Sequence, residues 1–150
     1  MKSYQNINIY NIDKLDYCAR EKNITKSVNY KFIKGDIKSS DLVNYILHQY
    51  QIDTIIHFAA QSHVDNSFGN SIQFTEDNVL GTHTLLECCR IYKNIQKFIH
   101  ISTDEVYGEV EQNEICSETS LLNPTNPYAA SKAAAEFLVR SYGISFKLPI

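Results

Sequence analysis

The chain has 150 residues, 43% apolar and 21% charged, within the range of one compact globular domain. A formal net charge of -3, with acids and bases interspersed, gives no electrostatic case for nucleic acid or an anionic membrane surface as partner. Cys18, Cys88, Cys89 and Cys116 show no C-x-x-C spacing, and adjacent Cys88 and Cys89 are poorly placed to bridge each other, so reduced thiols are expected. The opening MKSYQNINIYNID lacks an apolar h-region of about 7–15 residues, and no apolar run approaches the ~18 residues of a membrane span. A soluble, cytoplasmic protein is expected.

In chain order, Ile7, Ile9, Tyr10 and Ile12 form a first strand ending at Asp13, and YKFIKGDI forms a second that closes on Gly35 and Asp36. Ser39, Ser40 and Asp41 offer helix-capping chemistry ahead of Leu42, Val43, Ile46, Leu47 and Tyr50, which recur at helical spacing. Asp53 to Ala60 is a near-continuous apolar run, the pattern of a parallel strand covered on both faces. The chain is then expected to turn through QSHVDNSFGN before a long helix from Ile72 to about Tyr92.

KFIHIST supplies the next strand, followed by a polar segment from Glu109 to Asn126. Asn126-Pro127 provides an N-cap and a proline at the first helical position, predicting a helix from Tyr128 to about Ser141. Gly143 fits either a cap or a final turn, and Leu148-Pro149-Ile150 resembles the opening of another strand. The alternation of strands and helices predicts a doubly wound parallel α/β sheet.

Tyr128 and Lys132 lie four apart at a helix start and share a face, where an ammonium can make a phenol a usable general base. The same spacing also fits a packed ring beside a solvated lysine. Thr103, Asp104 and Glu105 follow a strand end, where open α/β sheets bind ligands, and two carboxylates there can divide acid and base roles. Capping acids at a polar strand end are the plainer alternative.

Ala59 and Ala60 allow a cofactor to approach the backbone, with Ser62 and His63 nearby. His63 has no companion ligands at tetrahedral spacing, so no metal site is expected, while His57 and His100 fit satisfied core histidines. Asp13 suits an adenosine ribose or a simple turn, and Asp36-Ile37 is similarly open.

DKLDY, GDI, HFAAQSHVD, NVLGT, ISTDEVYG and NPYAASK, in this order and spacing, resemble the dTDP-glucose 4,6-dehydratases of the extended short-chain dehydrogenase family. The likeness runs from about Ile7 to Ile150, and the T-D-E triplet separates it from the sister 4-epimerases. The resemblance implies that Tyr128 removes the proton of the sugar 4-hydroxyl while hydride passes to NAD, with Lys132 assisting. It implies that Glu105 takes the carbon 5 proton, Asp104 protonates the departing 6-hydroxyl, and Thr103 holds the 4-oxygen. Ser62 matches a substrate-contacting position.

Cofactor positions implied by the match are Asp13, Lys14, Leu15 and Asp16 around the adenosine, Asp36 and Ile37 at the adenine, and Phe58, Ala59, Ala60 and Ser62 along the dinucleotide. Tyr128 and Lys132 complete this set. Near the nicotinamide half, Asp77 stands where relatives often carry threonine, whereas Asn78 beside it matches. A nucleotide sugar is the implied substrate, and a homodimer through the Ile72 to Tyr92 and Tyr128 helices is the implied assembly.

Only Gly35, Gly69, Gly81, Gly108 and Gly143 occur, so the sequence contains no G-x-x-G-x-x-G loop of the kind that binds a pyrophosphate. The resemblance places that loop and its strand before Met1 and a substrate domain after Ile150. The chain is therefore expected to be a partial Rossmann-type NAD-binding domain, with weakened NAD affinity and a mid-sheet gap that leaves the first strand and Thr54 to Ala59 with open edges. The alternatives are another nucleotide-sugar enzyme, a 4-epimerase or decarboxylase, or a non-catalytic remnant.

Overall fold

The computed structural model describes residues 7–24, 27–110 and 115–150. Residues 1–6 of the polar N-terminal stretch, 25–26 ahead of the second strand and 111–114 of the polar segment lie outside the described residues.

β1 (Ile9–Asp13) and β2 (Tyr30–Lys34) pair in parallel, in register from Ile9 with Tyr30 to Asp13 with Lys34. Their β-branched and aromatic residues suit a pleated surface. Gly35 closes the pair, its N–H donating to the Asp13 carbonyl at 3.0 Å. A Cβ on Gly35 would meet Leu42 Cδ2 at 2.2 Å, so any other residue here would have to displace the end of that leucine side chain.

That helix, α1 (Ser40–Gln49), buries Val43, Ile46 and Leu47 as the spacing predicts. Ser39 occupies the N-cap position, but its side chain accepts no hydrogen bond, contrary to the capping expectation. Asp36 organises the turn instead, its Oδ1 accepting from the Lys38 N–H at 2.9 Å and its carbonyl from the Ser39 N–H at 3.0 Å.

β3 (Thr54–His57) pairs in parallel with β4 (Lys97–His100). The expectation of a long strand covered on both faces is corrected here: Ile56 is 54% and Phe58 68% exposed. Only the alternate residues Ile55 and His57 turn inward, and Ile55 joins the core. One face packed and one open is the pattern of a strand whose covering helices lie on a single side.

The predicted turn through QSHVDNSFGN is also corrected, since α2 (Val64–Gly69) occupies most of it. Buried Ser67 stabilises that turn of helix by donating to the Val64 carbonyl at 2.6 Å. The long helix that follows is continuous but not uniform: α3 (Ser71–Phe74), a π-helical turn (Thr75–Leu80) and α4 (Gly81–Tyr92). Neighbouring Asp77 and Asn78 are both buried on this wider turn.

α5 (Pro127–Phe146) begins as predicted, with Asn126 Oδ1 accepting from the Ala129 N–H at 2.8 Å and proline in the first turn. It runs through Gly143 and ends at Lys147, whose φ of 57 supplies the left-handed cap. α1, α4 and α5 share one core of Val43, Leu47, Leu85, Leu86, Cys89 and Val139, closed by Phe98 of β4. Beyond β4, the Phe98 N–H donates to the Pro149 carbonyl at 2.7 Å, in line with an incipient strand at the last residues.

The α/β alternation and parallel pairing are as read from the sequence, but the strands form two separate two-stranded sheets, β1-β2 and β3-β4. Among the described residues, β1 and β3 do not pair with each other. The core shared by α1, α4 and α5 joins the two halves, and a polar cluster links them again at the C-terminal ends of their strands.

Candidate functional site

Asp13, at the end of β1, accepts the Leu15 N–H on Oδ1 at 2.7 Å, bending the chain so that Leu15 adopts φ 59, a left-handed conformation sparsely used by non-glycine residues. This turn aims Lys14 across to Asp77 Oδ2 at 2.6 Å and Asp16 Oδ2 at 2.9 Å. Lys38, from the turn after β2, reaches Asp77 Oδ1 at 2.8 Å. Gln61, just beyond β3, donates from Nε2 to Asp77 at 2.9 Å and to Asp16 at 2.8 Å, and Gln73 adds a further bond to Asp77 at 2.8 Å.

Asp77 is 8% exposed. Burial opposes its ionisation, but the bonds from Lys14, Lys38, Gln61 and Gln73 outweigh it and hold the carboxyl well below the usual range. Burial works against the charged form of Lys14 and Lys38, but the bonds to Asp77, with Asp16 beside Lys14 and Asp36 beside Lys38, raise both above the ordinary ammonium value, and the Lys14 bond lowers Asp16. A buried carboxylate with four donors is electrostatically satisfied and mechanically fixed.

The cluster walls a cavity of about 170 Å³ whose lining includes Asp13, Lys14, Asp16, Asp36, Ile37, Ala59, Ala60 and Asp77. The structure thus gathers eight of the residues read as cofactor-binding around one space. Leu15 belongs to the turn that shapes it, while Phe58 and Ser62 are exposed and lie outside its lining. Gln61, not Ser62, is the buried residue of the AAQS segment, which the resemblance places along the dinucleotide as part of the stretch from Phe58 to Ser62.

Asn78 links this cavity to α5. It accepts the Gln61 N–H at 2.6 Å, donates to the Gln61 carbonyl at 3.0 Å and donates to Ser131 Oγ at 2.8 Å. Ser131, between Tyr128 and Lys132, in turn donates to the Tyr128 carbonyl at 2.7 Å.

The remaining predicted residues converge at the start of α5. The 3-10 turn Asp104–Tyr107 is anchored by buried Val106 and leaves Asp104 and Glu105 exposed. Thr103 Oγ1 donates to Asp104 Oδ1 at 3.2 Å, and the Glu105 N–H donates to the same oxygen at 3.1 Å. Glu105 Oε2 accepts from Asn126 Nδ2 at 3.0 Å, so the residue that caps α5 also tethers Glu105. Two residues on, Tyr128 is buried with its ring edge-on to Phe74.

Lys132 donates to the carbonyl of Ile101, two residues before Thr103, at 2.6 Å, and burial lowers its pKa with Glu136 opposing. The arrangement puts exposed carboxylates, a phenol and a desolvated amine at one end of one helix, a set able to move protons to and from a bound ligand.

His57 is the satisfied core histidine expected, with Nε2 2.8 Å from Thr82 Oγ1. His100 is not: both ring nitrogens are buried without a partner. Strand alternation turns it inward beside His57 and Lys132, whose hydrogen bonds go instead to Thr82 and the Ile101 carbonyl. Burial drives His57 down to about 3, aided by His100 and Lys132, and His100 down to about 4, aided by Lys132.

His63 Nδ1 lies 3.0 Å from the Tyr17 hydroxyl. Among the described residues no cluster suits a metal ion, no helix is long and apolar enough to cross a membrane, and all four cysteines are free. A larger cavity of about 470 Å³ lies between β4 and α5 and meets the predicted catalytic set only at Thr103.

Over residues 1–150 the sequence matches the family described as GDP-mannose 4,6 dehydratase. It is 56% identical to the trifunctional UDP-glucose 4,6-dehydratase/UDP-4-keto-6-deoxy-D-glucose 3,5-epimerase/UDP-4-keto-L-rhamnose-reductase of Arabidopsis thaliana, covering 100% of this chain and 23% of that protein. It is 52% identical to the dTDP-D-glucose 4,6-dehydratase of Dictyostelium discoideum, covering 99% of this chain and 37% of that protein. The fold superposes with a TM-score of 0.89 on a dTDP-glucose 4,6-dehydratase of Streptomyces venezuelae solved with NAD, at 38% identity over 94% of this chain and 44% of that one. The chain therefore spans less than half the length of each of these relatives.

Proposed function

This chain belongs to the GDP-mannose 4,6-dehydratase family, and from that premise we propose that it forms the cofactor-binding and proton-transfer part of a nucleotide-hexose 4,6-dehydratase, with dTDP-glucose or UDP-glucose as substrate. The observation that carries this reading is Asn126, which caps the helix bearing Tyr128 and Lys132 and holds Glu105 at 3.0 Å. A carboxylate and a phenol fixed about one helix N-terminus suit a hexose ring that must lose one proton from its 4-hydroxyl and another from the adjacent carbon 5.

The cavity beside β1 fits the adenosine half of NAD. Asp13 stands exposed at the strand end for a ribose, and Ala59 and Ala60 leave the backbone open to close approach. When bound, NAD accepts a hydride from carbon 4 of the sugar and returns it at carbon 6.

In this reading Tyr128 takes the proton of the 4-hydroxyl, with the Lys132 amine one helical turn along on the same face. Lys132 is partly desolvated and already spends one donor on the Ile101 carbonyl, which orients the others. The 4-keto group acidifies carbon 5, whose proton passes to Glu105, and Glu105 returns a proton to carbon 5 once water has left. Asp104 delivers a proton to the 6-hydroxyl so that it departs as water, and Thr103 hydrogen-bonds the 4-oxygen.

Four free cysteines accord with the reducing cytoplasm. A homodimer through α4 and α5 completes the reading by family likeness. The test is turnover at saturating NAD: product lighter by one water is expected from the folded, NAD-bound chain with dTDP-glucose or UDP-glucose, and at least a hundredfold less from Glu105→Gln. An NAD-bound chain that leaves both sugars unchanged contradicts the proposal.

A further inference from the structure

The cluster around Asp77 has a property that its role as a clamp does not require: its charge is unbalanced. Asp13, Asp16, Asp36 and Asp77 line the cavity, whereas Lys14 is the sole lysine in its lining. Lys38 adds a second ammonium at the rim, 2.8 Å from Asp77, 3.8 Å from Asp36 and 3.9 Å from Glu76. Both ammoniums are thus spent on carboxylates before any ligand arrives. Asp77 contacts both, and its burial leaves it poorly screened by solvent.

We propose that Asp77 is a specificity determinant: by holding Lys14 and Lys38 neutralised at the cavity, it makes the site refuse an adenosine that carries a phosphate on its ribose. The inference rests on the reading of this cavity as the adenosine site. Its geometry is that Asp13 and Lys14 are consecutive at the strand end where the ribose would sit, so a phosphate on the ribose meets the Asp13 carboxylate and a lysine already committed to Asp77. Removing the Asp77 charge takes from Lys38 its shortest ion pair and leaves Lys14 held by Asp16 at 2.9 Å, so both ammoniums become more available to that phosphate.

Lys38 provides an independent handle, because it is partly exposed and its loss leaves the cavity more negative.

The experiment is calorimetric titration of the 150-residue chain with adenosine 5'-monophosphate and with adenosine 2',5'-bisphosphate, which differ only in the ribose phosphate. The wild-type chain is expected to prefer the monophosphate by about tenfold or more. Asp77→Asn should shift the ratio about tenfold toward the bisphosphate, and Lys38→Gln should shift it several-fold the other way. If Asp77→Asn does not fold, Lys38→Gln decides alone.

Binding of both nucleotides with a ratio unmoved by either substitution overturns the specificity role and leaves the adenosine site standing. Binding of neither nucleotide to the wild-type chain overturns both.

Discussion

Replacing Asn126 separates stability from function because its two ends do different work. Oδ1 caps α5 through the Ala129 N–H at 2.8 Å, and Nδ2 holds Glu105 at 3.0 Å. Asn126→Ala removes both. Loss of the cap costs about 1 kcal/mol, and loss of an exposed bond to a carboxylate adds about 0.5 kcal/mol after allowance for solvent screening. The total, about 1.5 kcal/mol, lowers Tm by about 4 °C for a domain of this size.

Asn126→Asp keeps an acceptor of equal capping strength and places a negative charge at the helix N-terminus, worth about 0.5 kcal/mol. It loses the donor to Glu105 and sets a second carboxylate against it, so stability should stay within about 0.5 kcal/mol of wild type. Turnover should fall in both variants. The chain has no tryptophan, so urea unfolding is best followed by far-UV circular dichroism. Equal destabilisation of the two variants, or unchanged stability in Asn126→Ala, would refute the assignment of the two bonds.

The buried histidines predict acid sensitivity. Burial holds His57 down to about 3 and His100 down to about 4, from 6.5, so below pH 6.5 the unfolded chain binds more protons and stability falls with pH. Each should contribute a loss of about 2 kcal/mol by pH 5. His100→Leu should halve that slope and, since the ring nitrogens lack partners, cost nothing or stabilise by about 1 kcal/mol at pH 7; an unchanged slope in urea titrations counts against this. Gly108→Ala should destabilise by about 3 kcal/mol, because φ is 77 and the added Cβ would lie 2.1 Å from the Asn123 carbonyl oxygen. The Gly108 N–H bonds the Glu105 carbonyl, so a soluble Gly108→Ala chain with wild-type stability and turnover would contradict a role for this turn.

Local chemistry explains which features were legible. Asn126-Pro127 announced the start of α5 because cap and proline act within one turn, and the strands stood out by β-branched runs. The end of α5 was hidden because Gly143 sits inside the helix, where packing overrides its low propensity. The π-helical turn was invisible to a periodicity argument, and with it the burial of Asp77 beside Asn78. The exposure of Ile56 escaped notice because an apolar run records what a strand can bury, not what covers it.

The site was legible in outline only. Tyr128, Lys132 and Glu105 were named as candidates from spacing and resemblance, but the bonds of Gln61 and Ser131 and the second bond of Asn126 depend on contacts between residues far apart in the chain. Asp77 shows the limit most clearly. Its partners Lys14 and Lys38 come from separate turns, and no local pattern links 14, 38 and 77.

The most direct test of the central claim is the mass of the sugar nucleotide formed in deuterated water by the NAD-bound chain. If Glu105 takes and returns the carbon 5 proton, the product loses one water and gains one solvent deuterium at carbon 5, and Glu105→Gln abolishes both changes. A product of unchanged mass with inverted carbon 4, or one that loses water while carbon 5 keeps its original hydrogen, would contradict the account.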